Sequence, residues 1–193
     1  YENLISTAER RRIINNEKKT DVRISDLYGV IPAITGKVEL VYEGEQEGPF
    51  KVANILISKS IKTLFESYFP TPDKMKKNGG ENPYSIITGW FSKGNQVDIL
   101  NNMADNEYER ILNDVPGLKE LIGKLLPDTK KNEQLLFMEF LLHGLAEYSL
   151  LSKFRLERGL QFKDMLSSMF TMPSGANEEN DDFDDVDPED KFL

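Results

Sequence analysis

This chain of 193 residues contains no cysteine, one histidine and one tryptophan. Without cysteine there is neither a disulfide nor a thiolate zinc centre, which suits a reducing compartment and leads us to expect a cytoplasmic protein. A single histidine excludes any zinc site built from several imidazoles. No apolar run approaches the roughly eighteen residues that a membrane span needs. The first residues show no basic-then-apolar leader, so neither a signal peptide nor a membrane partner is expected. Calcium-loop spacing is missing too: Glu39, Glu43, Glu45 and Glu47 surround Gly44 but lack the closing pattern of oxygen ligands.

A basic surface is also missing. The net charge is −9, and it is unevenly spread. Residues 177–193 carry nine acidic side chains against one lysine, a net −8, which leaves −1 for everything before them. The chain therefore reads as a charge-balanced body with an acidic tail, and nucleic acid is not an expected partner. In the tail, Phe183, Val186 and Phe192 punctuate the acidic run. Such a segment buries too little apolar surface to offset its ordering entropy, so a disordered tail is expected. It reads either as a docking segment for a basic surface or as a solubilising extension.

Gly36-Lys37 invites comparison with a phosphate loop, G-x-x-x-x-G-K-[ST]. The residue after Lys37 is Val38 instead of a hydroxyl, and Ile31 stands where the first glycine belongs. Both anchor positions fail, and nucleotide chemistry at this stretch is excluded. No catalytic residue is assigned.

Periodicity predicts helices. Tyr1, Leu4, Ile5 and Ala8 share a face and lead into Arg10, Arg11 and Arg12, a helix ending near Asn15-Asn16. Ser25-Asp26 reads as the cap of a short helix that Pro32 interrupts. Lys37–Tyr42 alternates and reads as a brief strand. Val52 to Phe69 carries an apolar stripe at spacings of three and four, closed by Pro70, and Leu118 to Leu126 repeats the pattern before Pro127. Thr71–Glu81 reads as a loop, and Asn82–Ser92 and Asn106–Asn113 as helices. Glu133–Phe154 is apolar on most sides and reads as a central buried helix. The fold class expected is mainly α.

Two polar groups qualify as candidate sites. Arg10 and Arg11 are candidate phosphate-contacting or inter-subunit residues, because a guanidinium binds phosphate through two parallel hydrogen bonds. Successive helical residues point about 100° apart, so Arg10, Arg11 and Arg12 cannot all face one ligand; the alternative is a solvated or salt-bridged face. Glu139, His143 and Glu147 stand four residues apart on one helical stripe. One straight helix cannot bring three ligands to a point, and there is no second histidine, so no metal site is assigned. They are expected to form a polar seam on the least buried side of the central helix.

The segments YENLISTAERR (Tyr1–Arg11), VRISDLYGVIPAITGKVELVYEGEQEG (Val22–Gly48), LLFMEFLLHGLAEYSLLSKFR (Leu135–Arg155) and GLQFKDM (Gly159–Met165) occur in order. Together they resemble the C-terminal part of bacterial AAA+ ATPases of the magnesium-chelatase-like, MoxR-related type. The resemblance runs from about Tyr1 to Phe170. It implies the end of a helical nucleotide lid with its linking segment over 1–49, a helical C-terminal domain over 50–172, and the acidic tail over 173–193. It further implies that the Walker and sensor elements lie upstream of Tyr1, and that ATP and magnesium bind elsewhere in a complete, ring-forming homo-oligomer. The rest of the AAA+ module and a von Willebrand-type domain are the partners it implies, and the loop around Glu45 and Glu47 would lie between lid and neighbouring module. On this reading the chain is a non-catalytic module coupling ATP state to the remodelling of a partner protein. The alternative from the residues alone is a free-standing helical adaptor that binds a basic partner through its acidic tail.

Overall fold

The computed structural model describes residues 1–37, 39, 48–72 and 82–166. The architecture is mainly α. In chain order it comprises α1 (Glu2–Ile14), a 3₁₀ segment (Ile24–Val30), α2 (Ile31–Thr35), α3 (Pro49–Tyr68), α4 (Ser85–Phe91), β1 (Val97–Leu100), α5 (Asp105–Asn113), α6 (Leu118–Leu125), α7 (Lys131–Glu147), β2 (Ser152–Leu156) and β3 (Gly159–Lys163). The predicted strand at Lys37–Tyr42, the loop at Thr71–Glu81, the glutamate loop and the acidic tail fall wholly or largely outside the described residues.

Helix α3 follows its apolar stripe. Pro49 occupies the first turn, where a missing N–H removes no helical bond, and Ala53, Ile57, Ile61 and Phe65 are buried at intervals of four. This row crosses α7 at Gly144, where a Cβ would run into the Phe65 ring. Phe65 in turn lies 5.1 Å from Phe69 and 6.3 Å from Phe140, centroid to centroid. Around this crossing one apolar core extends from Ile31 through Ala53, Ile87, Leu112, Ile122 and Leu142 to Phe162. Ile31, in the segment that the resemblance assigns to the lid, thus shares a core with the helical body.

The expectation of one helix over Glu133–Phe154 is corrected. Helix α7 stops at Glu147, and Phe154 lies in a strand. Ser149 adopts a left-handed conformation (φ 54°), its N–H bonds the carbonyl of Ala146, and the Leu150 N–H reaches back to Leu145. This is a Schellman ending with serine at the position glycine usually takes, so its sequence signal is weak. The chain then turns into an antiparallel hairpin, β2 against β3, closed by Glu157-Arg158. β1 pairs with the other edge of β3, giving the order β1-β3-β2. Gly159 permits the close pairing, since a Cβ there would meet the Ile99 carbonyl.

Candidate functional site

The most unusual group in the core is a carboxylate. Glu139, on α7, is fully buried. It accepts the backbone N–H of Ile24 and of Ser25, each at 2.8 Å, and the Tyr108 hydroxyl at 2.7 Å. The first two donors open the 3₁₀ segment, whose early N–H groups have no partner within their own turn. Glu139 therefore ties the N-terminal segment to the central helix. Burial alone would push its carboxyl up, but nearby His143, the Tyr108 hydroxyl and the Ile24 N–H together hold it below the ordinary range.

His143, one turn on, is equally buried, with Nε2 3.6 Å from the carboxylate, beyond a direct hydrogen bond. Its ring is stacked with Tyr28 and meets Phe162 edge-on. Burial lowers the imidazole pKa despite Glu139 beside it. The expected exposed seam is thus corrected: the 3₁₀ segment and the sheet enclose that side of α7. Glu147, the third member of the stripe, pairs instead with Lys153 at 2.6 Å. Among the described residues there is no cluster of three groups able to hold a metal ion.

The arginine run divides. Arg11 is buried, ion-paired with Asp26, and donates to Thr20 at 3.0 Å and to the Asp21 carbonyl at 2.7 Å. The other Asp26 oxygen accepts the Arg23 backbone N–H at 2.8 Å. Burial raises the Asp26 pKa against the opposing pull of Arg11. Arg23 continues the chain of contacts, donating to the Met103 carbonyl at 2.9 Å and to Asp105 at 2.6 Å, with its guanidinium 4.0 Å from the centre of the Tyr108 ring. Arg12 is half-buried.

Arg10 faces outward and lines a cavity of about 300 Å³ at the meeting of α1, the 3₁₀ segment and the β2–β3 hairpin. Arg155, from β2, lines the same cavity. Of the sequence candidates, then, Arg10 opens onto a cavity, whereas Arg11 has its partners inside the fold. Sequence reasoning did not single out Tyr108, Arg23 or Arg155. The residues their side chains meet lie tens of positions away, beyond the reach of a local pattern.

No protein-family model, no curated protein and no solved structure matches this chain. No described helix is long and apolar enough to cross a membrane.

Proposed function

We propose that the chain is a non-catalytic module of a ring-forming AAA+ ATPase of the magnesium-chelatase-like, MoxR-related type, coupling ATP state in the complete protein to remodelling of a partner protein. The supporting observation is the way α1 is mounted. Ile13 and Ile14, at the end of α1, are 68% and 49% exposed, so α1 offers apolar side chains that the described residues leave largely uncovered. The same helix is fastened to the 3₁₀ segment through Arg11–Asp26, and that segment to the body through Glu139. An element that ends an ATPase lid and is locked to a helical domain would pass a displacement between them. ATP and magnesium would be held by the upstream part of the complete protein, together with its ring contacts and a von Willebrand-type partner.

Two measurements test this reading. The coding region upstream of Tyr1 should encode, in frame, a G-x-x-x-x-G-K-[ST] motif and an apolar strand ending in acidic residues. The full translation product should then assemble and hydrolyse ATP, while the 193-residue chain alone does neither. A start codon within a few residues of Tyr1, or tight binding of magnesium-ATP by the 193-residue chain, would overturn it.

A further inference from the structure

The cavity between α1 and the hairpin is lined by four charged residues: Arg10, Arg155, Asp26 and Glu157. The Asp26 carboxylate is already engaged by Arg11 and the Arg23 N–H. Glu157 is exposed at the hairpin turn. Arg10 makes one long contact, 3.4 Å to the Asn102 side-chain oxygen, and Arg155 another, 3.5 Å to that of Asn54. Beyond these, Arg155 lies over the rings of Phe50 and Tyr28. Among the described residues neither arginine has a carboxylate partner, although the chain carries 33 acidic residues against 24 basic ones. The Ser6, Ser25 and Asn101 side chains, also on the wall, make no hydrogen bond among the described residues.

We infer that this cavity binds a small phosphoryl anion, with Arg10 and Arg155 as its cationic ligands. Arg10 and Arg155 line one cavity, and a doubly charged oxyanion between them would be attracted to both. The planar fork of arginine suits phosphate oxygens, which accept paired N–H donors. Ser6, Ser25 and Asn101 supply neutral donors for the remaining oxygens. The volume corresponds to roughly ten waters at liquid density, room for a phosphate or pyrophosphate group. Elements distant in sequence build the site, so it exists only when α1 is seated against the hairpin. Occupancy would therefore hold the N-terminal helix in place. The inference does not depend on the ATPase reading, since a free-standing adaptor with this cavity would bind the same anion.

Calorimetric titration of the 193-residue chain with inorganic phosphate and with pyrophosphate, at low ionic strength and pH 7.5, tests it. Saturable binding at one site is expected for at least one of the two. Arg10→Gln and Arg155→Gln should each weaken it about tenfold or more, the scale of a hydrogen bond to a charged group. Both side chains are exposed, and circular dichroism checks that the variants fold. Glu157→Gln should tighten binding a few-fold by removing an exposed opposing charge from the lining. Arg12→Gln, outside the lining, should leave it unchanged. Absence of saturable binding of both anions, or equal weakening by Arg12→Gln and Arg10→Gln, would overturn the assignment. The latter result would mean diffuse charge attraction without a site.

Discussion

Tyr108 and His143 approach the same buried carboxylate from two helices, and they differ in what they give it. The tyrosine donates a short hydrogen bond, and burial beside Glu139 keeps its own hydroxyl protonated far beyond neutral pH. Tyr108→Phe keeps the ring and removes only this donor. A loss of about 1.5–3 kcal/mol in urea unfolding is the expected outcome, the range for a hydrogen bond to a charged group. His143 acts through its neutrality. Its pKa falls on burial, so the unfolded chain takes up a proton as pH drops below about 6.5 while the folded chain resists. Stability should therefore decline between pH 7.5 and 5.5, by at most about 1.4 kcal/mol per pH unit. As the only histidine in the chain, His143 should dominate that window. In His143→Gln the dependence should flatten; an undiminished slope in that variant would assign the titration elsewhere.

Two crossings decide how the elements stand to one another. The first is α3 on α7, where the missing Cβ of Gly144 leaves the space that the Phe65 ring occupies. Gly144→Ala raises intrinsic helix propensity by about 1 kcal/mol, yet overpacking of this kind costs about 1–3 kcal/mol. A net destabilisation in chemical unfolding is expected. A gain in stability would mean that Phe65 moves aside easily. The second crossing is the 3₁₀ segment on α7 through Glu139. Glu139→Ala removes the acceptor of two backbone N–H groups. Hydrogen exchange should then accelerate in the 3₁₀ segment and in α1, while the amides of α3 keep their protection. Loss of protection throughout would show that the N-terminal segment and the body open as one unit.

For the molecule as a whole, the net charge is unevenly distributed along the sequence. The acidic run at residues 177–193 supplies −8 of the net −9. A chain ending at Gly175 would be close to neutral at pH 7, and its solubility there at low salt should fall well below that of the full chain. Equal solubility would show that the charge of the tail does not set the solubility of the chain. Much of the fold was legible beforehand. The stripe of α3 and the repeat of α6 are written at spacings of three and four, so the mainly α class and the buried faces of both helices follow from local pattern. The end of α7 was not legible, because a serine occupies the left-handed position where a glycine would have marked the stop. Nor was the sheet, whose strands of four or five residues resemble short loops or helix ends.

The same division separates the site residues. Arginines at 10 to 12 could be recognised as a charged run, and a helix requires that neighbours in it face different ways. Which of them turns inward was a tertiary matter: Asp26, fifteen residues on, captures Arg11 and leaves Arg10 facing the cavity with Arg155. Glu139 and His143 looked like a solvent-facing stripe because spacing along α7 reports only that they share a side. What covers that side comes from residues as many as 115 positions away. The sequence by itself determined the helical periods, the absence of a phosphate loop and the acidic end, all properties of composition or of neighbours within a turn or two. Only the tertiary structure decided which polar groups are buried and which arginines share a cavity, since those outcomes depend on long-range partners that satisfy or abandon each charge.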